Sequence, residues 1–344
     1  MPAHPMWLLI PILLLLGACA AQSSPSTAPA AAAPLAPAPG GWAIAIHGGA
    51  GVLDRVAPAA ERDAYIASLT AALNEGQRRL AAGESAMDVC EAVVRILEDD
   101  PKFNAGKGAA YNAEGKHELD ASIMDGKTLN CGAVAAVRTV KNPISLARLV
   151  MTRTNNVLLM GDGAEQFADA MGVEHVPNTY FDTPKRLEFF EEWQREQKAK
   201  QPQTPPAGSG KGTVGCVCLD TSGNLAAATS TGGLTGKRFG RVGDSPIIGA
   251  GCYANNASCA VSCTGTGEQF IRHTVARNVA ALMEYGNLNL RDAAARMVFV
   301  SLKPDDGGLI AVSAAGEIAL VYNSEGMFRG AANSKGHFEV KIWE

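Results

Sequence analysis

Lys211-Gly212-Thr213-Val214-Gly215-Cys216-Val217 is the stretch on which the reading of this chain turns. A glycine precedes a threonine that opens an apolar, strand-like run. Thr229-Ser230-Thr231-Gly232-Gly233, Gly240-Arg241-Val242-Gly243-Asp244 and Thr264-Gly265-Thr266-Gly267 follow at short range. A threonine hydroxyl is a weak nucleophile without a base in hydrogen-bond reach, and the sequence offers no obvious histidine partner. Cutting the chain before Thr213 would turn its own α-amine into that base. An α-amine titrates at about 7.7–8.0, so an appreciable fraction is unprotonated at neutral pH. Taken alone, Gly212-Thr213 reads as a linker glycine before an ordinary strand residue; the downstream motifs reverse that balance.

Outward from this junction the pattern is regular. Upstream, Leu187 to Lys200 is charged and helix-prone, and Gln201 to Gly212 (QPQTPPAGSGKG) is a Pro/Gly-rich linker. Residues 183–212 are therefore expected to form a flexible tail before the cut. Downstream, Thr213–Leu219 and Leu225–Thr229 form a hairpin across Thr221-Ser222-Gly223-Asn224, and a second hairpin joins Leu309–Val312 to Glu317–Tyr322. Helices are expected at about Glu268–Tyr285 and Leu290–Leu302. In the first half, Trp42–Ile46 reads as a buried strand entering the turn His47-Gly48-Gly49-Ala50-Gly51. Tyr65, Leu69, Leu73 and Leu80 mark a helix over Ala59–Ala82, and Ser85 caps the next. Leu119–Met124 and Ala133–Val140 look like paired strands. Strands, then helices, then strands again suit sheets packed face to face between helix layers.

Composition bounds the rest. Trp7–Leu16 is too short to span a bilayer and has the length of a signal-peptide core. It ends in Leu16-Gly17-Ala18-Cys19, the pattern of a lipoprotein signal with Cys19 as lipidation site; an ordinary secretory leader cut near Ala21 is the alternative. The first region holds His4 but no Lys or Arg. Residues 20–41 are an Ala/Pro-rich tether. On this reading the protein is a periplasmic lipoprotein of the cell envelope, or a secreted or soluble periplasmic one, touching membrane only through its anchor. Residues 42–344 suffice for one large α/β domain. A net charge of -4 gives no basic footprint for nucleic acid. Apart from Cys19, seven cysteines remain without a C-x-x-C pair, so a zinc ribbon is unsupported and most read as small buried residues.

HGGAG, FNAGKGAAYN, HELDASIMDG, GTVGCVCLD, ATSTGG, GRVGDSPIIGAG and SCTGTGE together resemble the plant-type asparaginase and isoaspartyl peptidase family, over essentially Trp42 to Tyr322. The resemblance implies an α/β, four-layer αββα sandwich of the N-terminal-nucleophile hydrolases. It implies self-cleavage at Gly212–Thr213 into an α subunit (42–212) and a β subunit (213–344), paired as an (αβ)2 heterotetramer. Thr213 would be the nucleophile toward β-aspartyl dipeptides and L-asparagine, with Thr231 bonded to its hydroxyl or amine. Thr264 and Gly265 would form the oxyanion hole, since two fixed donors stabilise a tetrahedral oxyanion. Arg241 would grip the substrate α-carboxylate and Asp244 its α-ammonium, with Gly267 adding a carbonyl. No catalytic cofactor is implied. A structural sodium ion would rest on main-chain carbonyls of Leu97, Glu98, Asp100, Phe103, Ala105 and Lys107, because hard cations prefer oxygen. Asn104 in that loop would orient the nucleophile.

Two other readings stay open: a glycosylasparaginase-like amidase, against which the Gly-Thr junction argues, and a ligand-binding lipoprotein of the same fold without turnover. His47-Gly48-Gly49-Ala50-Gly51 lacks the pattern of a phosphate loop and reads as a close-packed turn near the active centre. His117-Glu118 has no second histidine at helical spacing, so a zinc protease is unsupported.

Overall fold

The computed structural model describes Met1 and residues 40–51, 53, 55–199 and 212–344. Cys19, the leader after Met1, the tether up to residue 39 and all of residues 200–211 lie outside them. In chain order the elements are β1 (Ala43–Ala50), α1 (Ala59–Ala81), α2 (Ala86–Asp99), β2 (Leu119–Asp125), β3 (Cys131–Val137), α3 (Pro143–Arg153), β4 (Leu158–Met160), α4 (Gly161–Met171) and α5 (Pro184–Ala199). After the junction come β5 (Val214–Leu219), β6 (Leu225–Thr231), β7 (Cys252–Ala254), β8 (Cys259–Gly265), α6 (Gly267–Arg272), α7 (Val275–Glu284), α8 (Leu290–Arg296), β9 (Gly307–Ser313), β10 (Ile318–Tyr322), β11 (Met327–Asn333) and β12 (Phe338–Lys341).

Two sheets result, ordered β12-β11-β1-β5-β6-β2-β3-β4 and β10-β9-β8-β7. All pairings are antiparallel except β3 with β4. Period-two alternation sends the two faces of the large sheet to different cores. Ile44, Ile46, Val214, Cys216 and Cys218 pack under α1–α3 with Leu69, Val89, Val93 and Ile144. Ala43, Ala45, Val217 and Ala227 face the small sheet, where Val261, Cys263, Leu309 and Ala311 meet them. Helices α7 and α8 close the far side through Val275, Val279, Leu290 and Ala294. Helix, sheet, sheet, helix is the expected αββα sandwich.

Several boundaries differ from expectation. Residues 184–199, assigned to the flexible tail, form α5, because this segment has side chains to bury. Arg186 and Phe190 are buried, and Phe190 stacks between Tyr111 and Trp193. The helix expected over 268–285 breaks at His273–Thr274, where Thr274 is left-handed with φ 45°. The helix after it widens from α8 into a π turn over Met297–Ser301. Strands β11 and β12 were not anticipated, yet β11 pairs with β1 and brings the C-terminal segment beside the centre of the large sheet.

Candidate active site

Thr213 stands at the mouth of β5, buried, between strands from both halves of the chain. Its hydroxyl donates to Thr231 Oγ1 at 3.1 Å. The Gly233 N–H also donates to that oxygen at 3.1 Å. The peptide before Thr213 is gripped closely. The Gly212 carbonyl accepts the Asn104 N–H at 3.1 Å, and the Asn104 carbonyl accepts the Gly232 N–H at 3.0 Å. Asn104 Nδ2 donates to the Gly233 carbonyl at 2.7 Å. On the other side Gly49, at φ 115°, presses on the same glycine: a Cβ there would lie 2.3 Å from Gly212 Cα. The segment expected as a turn is the end of β1, bulged between His47 and Gly49, and it is shaped to seat the Gly212–Thr213 bond.

His47 stands just before that bulge. It is fully buried, its Nδ1 lies 2.8 Å from the Thr213 carbonyl oxygen, and its Nε2 lies 2.9 Å from Ser262 Oγ. Burial holds the imidazole far below its ordinary value, at about 3, so it is neutral. Thr264, two residues after Ser262 on the same face of β8, is buried and accepts the Ala50 N–H on Oγ1 at 3.2 Å. Its own hydroxyl proton remains available to a ligand. Gly265 follows at φ 152°, with no room for a Cβ, which would lie 2.0 Å from the Asp306 carbonyl oxygen.

Arg241, Asp244 and Gly267 form a second group, joined to the first through the run Thr264–Gly267. A Cβ on Gly267 would lie 2.9 Å from both Arg241 Nη2 and Asp244 Oδ1. Asp244 is buried, and among the described residues its Oδ2 has no hydrogen-bond partner. Burial pushes its carboxyl up to about 7. An acid kept partly neutral by burial, against the pull of the Arg241 cation, is suited to receive a further cationic group. Arg241 is held by Glu268, with Nε on Oε1 at 2.9 Å and Nη2 on Oε2 at 3.0 Å. One edge of the guanidinium is thereby fixed to the protein.

The candidate cation loop leaves α2 at Leu97–Glu98. Gly106 and Gly108 are pressed against its carbonyls: a Cβ would lie 2.3 Å from Glu98 O and 2.0 Å from Phe103 O. Two of the six candidate oxygens already accept loop N–H groups, Asp100 from Phe103 at 3.3 Å and Ala105 from Gly108 at 3.2 Å. Lys107 Nζ points out of the loop and lies over the Tyr180 ring, 5.0 Å from its centroid. The Glu98 side chain turns into the protein, where Oε1 accepts Ser230 Oγ at 2.6 Å and Ile144 N at 3.1 Å. Burial raises that carboxyl to about 8.

The motif reading singled out Thr213, Thr231, Thr264, Gly265, Arg241, Asp244 and Gly267, and the structure brings Thr213 to Thr231 and groups Arg241, Asp244 and Gly267. The motif reading missed Ser262 and Glu268, and placed His47 only near the centre. The overlooked signal was Gly215, since a glycine inside a strand often marks close approach of another group. Among the described residues seven cysteines are free, and Cys90, Cys216 and Cys218 lie on the helix-facing side of β5, away from these groups.

Comparison with known proteins fits this geometry. A family model described as Asparaginase matches residues 40–342. The chain is 53% identical over 292 residues to the isoaspartyl peptidase of Salmonella typhimurium, covering 83% of this chain and 93% of that protein. It is 51% identical over 292 residues to the isoaspartyl peptidase of Escherichia coli, covering 83% and 91%. A probable isoaspartyl peptidase/L-asparaginase of Arabidopsis thaliana is 46% identical over 332 residues, covering 89% and 100%. These relatives overturn the cell-envelope placement. They are named as isoaspartyl peptidases and none as a lipoprotein, and the family match begins only at residue 40. The lipid anchor at Cys19 and the signal-peptide reading are withdrawn with it. The match over nearly all of residues 42–344 leaves one assignment: the chain belongs to the asparaginase family and is a hydrolase.

Proposed function

We propose that this chain is a self-processing threonine amidohydrolase acting on β-aspartyl dipeptides and L-asparagine. The observation that carries the reading is the seating of one peptide bond. Gly212 is packed between Gly49 and Asn104, and the Thr213 hydroxyl beside it is bonded to Thr231. In the first step Thr213 Oγ attacks the Gly212 carbonyl carbon, the C–N bond breaks, and the acyl group passes from nitrogen to oxygen. The Asn104 N–H is aimed at the oxygen that becomes negative. Water then hydrolyses the ester and leaves Thr213 with a free α-amine.

In turnover that amine takes the hydroxyl proton while Oγ attacks the side-chain amide of the aspartyl unit. The same proton goes to the leaving amine, and water releases aspartate from the acyl-enzyme. The Thr264 hydroxyl and Gly265 N–H receive the oxyanion. Arg241 takes the substrate α-carboxylate and Asp244 the α-ammonium, which supplies the partner that Oδ2 lacks. The relatives' names support both substrates. A sodium ion in the loop at the end of α2 would rest on the main-chain oxygens of Leu97, Glu98, Asp100, Phe103, Ala105 and Lys107, with those of Asp100 and Ala105 shared with the loop N–H groups they already accept. Its contribution there is structural. Pairing of two cleaved αβ units into (αβ)2 belongs to the same reading.

Intact mass under denaturing conditions, after incubation at neutral pH, tests it. Two fragments split before Thr213 are expected, with turnover of a β-aspartyl dipeptide and of L-asparagine. Thr213→Ala should stay in one piece and lose activity by at least about 10³-fold. An uncut, inactive wild type would leave a binding protein; turnover of glycosylated asparagine alone would leave the other amidase.

A further inference from the structure

Three residues stand in one row across the large sheet. His47 of β1 is directly opposite Gly215 of β5, and Gly215 is directly opposite Thr229 of β6. Cross-strand partners point to the same face, here toward the small sheet. The middle position has no side chain, and Ser262 of β8 fills the gap. A Cβ on Gly215 would lie 2.0 Å from Ser262 Oγ and 2.4 Å from His47 Nε2. Ser262 Oγ lies 2.9 Å from His47 Nε2 and 2.7 Å from Thr229 Oγ1. All three polar side chains are fully buried.

The direction of every bond follows. The Thr213 carbonyl can only accept, so the His47 Nδ1 carries the proton. In a neutral ring Nε2 must then accept, so Ser262 donates to it. Ser262 Oγ, its own proton given to His47, accepts at 2.7 Å from Thr229, whose single proton is shared with the Gly251 carbonyl oxygen 3.1 Å away. The chain therefore runs Thr229 to Ser262 to His47 to the Thr213 carbonyl. Thr229 and Thr231 lie two apart on one face of β6, and Thr231 takes the Thr213 hydroxyl. One strand thus holds Thr213 at both ends, its hydroxyl directly and its carbonyl through two side chains.

We propose that His47, its Nδ1 proton held on the Thr213 carbonyl and its Nε2 supported by Ser262, is a positioning residue for the freed Thr213 terminus. It rests on the reading of Thr213 as nucleophile. Before the cut, Gly212 and its bond to Asn104 constrain Thr213 from upstream. After the cut that constraint is gone, and the carbonyl is the remaining backbone handle. Holding the carbonyl fixes the 213–214 peptide plane and so the direction in which amine and hydroxyl face the substrate. A misplacement of about 1 Å in such a group costs about 100-fold in rate.

The test compares His47→Asn with His47→Gln in the full-length protein, following cleavage by intact mass and turnover of L-asparagine by kcat and KM separately. Asn keeps a donor near the Nδ1 position, whereas Gln places its amide near Nε2. His47→Asn is expected to retain kcat within about fivefold, and His47→Gln to lose about 10- to 100-fold in kcat with KM within about threefold. Both should still cleave. Ser262→Ala, which leaves His47 in place, should lower kcat by about three- to tenfold. The inference is overturned if Asn and Gln behave alike, if the loss falls on KM, or if Ser262→Ala leaves kcat unchanged. A wild type that cleaves and turns over while the variants fail these expectations refutes this inference alone. A wild type that never cleaves refutes the nucleophile reading beneath it.

Discussion

The two faces of the β5–β6 pair are one residue apart in sequence and unlike in chemistry. On the face toward the small sheet, Thr213, Gly215, Thr229 and Thr231 join His47 and Ser262 in a set of directed hydrogen bonds. On the face toward the helices, Val214, Cys216, Cys218, Ala226 and Ala228 sit in an apolar core with Cys90. Burial pushes the Cys90 and Cys218 thiols well above their ordinary value, while Cys216, though burial opposes it, is drawn below its own to about 6 by its hydrogen bonds to Cys218 and Cys90. Cys90 Sγ donates to the Cys216 and Ala226 carbonyls, and Cys216 Sγ lies 3.6 Å from Cys218 Sγ. The difference teaches that polar atoms on one face are closed in on themselves inside the helix-side core, whereas those on the other converge on the Gly212–Thr213 bond.

Gly215→Ala should break the contrast most severely. Its methyl has no place between Ser262 and His47, so activity is expected to fall by more than about 100-fold, with a stability loss of about 1–3 kcal/mol in urea. Asp244→Asn should cost about 100-fold in kcat/KM for L-asparagine. The wild-type profile sharpens the point. Because Asp244 is raised to about 7, the ionised form that pairs with an ammonium is lost as pH falls below about 7. There kcat/KM should drop by up to about tenfold per pH unit, and a flat acid limb would count against the clamp.

Glu98 tests the helix-facing side, where its bond to Ser230 is a polar exception. A carboxyl raised from 4.5 unfolded to about 8 folded contributes stability that is full below about 4.5 and is lost as pH rises through about 8. Glu98→Gln should therefore gain on wild type between pH 5 and 8, by on the order of 2–4 kcal/mol in chemical denaturation. Cys216→Ala should do least: about 1 kcal/mol of stability, with kcat within about twofold. A large kcat loss there would erase the distinction between the faces.

The sequence carried the αββα layering, because strand and helix periods are local and the two hairpins around β5–β6 and β9–β10 announce themselves through turn residues. It carried Thr213, Thr231, Thr264, Arg241 and Asp244, because these fall within short motifs in a recognisable order. What escaped it depends on long-range register. His47 and Ser262 are 215 positions apart and meet only because β1 pairs with β5 and β8 lies across them. Glu268 was visible inside SCTGTGE, but its partner at Arg241 was not. Strand β11 escaped for a similar reason: the small residues of Arg329-Gly330-Ala331-Ala332 suit a strand paired on both sides and look like loop when read locally, and β12 is a short edge strand that shows only through its pairing with β11.

The strand order has a consequence for the life of the molecule. Reading across the large sheet, β12 and β11 come from downstream of residue 212, β1 from upstream, β5 and β6 from downstream, and β2, β3 and β4 from upstream. A chain severed at 212 is therefore two polypeptides threaded through one another, each supplying strands that the other cannot replace. For such a chain assembly would happen once, while the 200–211 linker still made every encounter intramolecular. After the cut, unfolding would separate the pieces, and return would require two molecules to find each other with exposed strand edges. Such a protein would persist by never letting go, its lifetime set by a rate and not by an equilibrium.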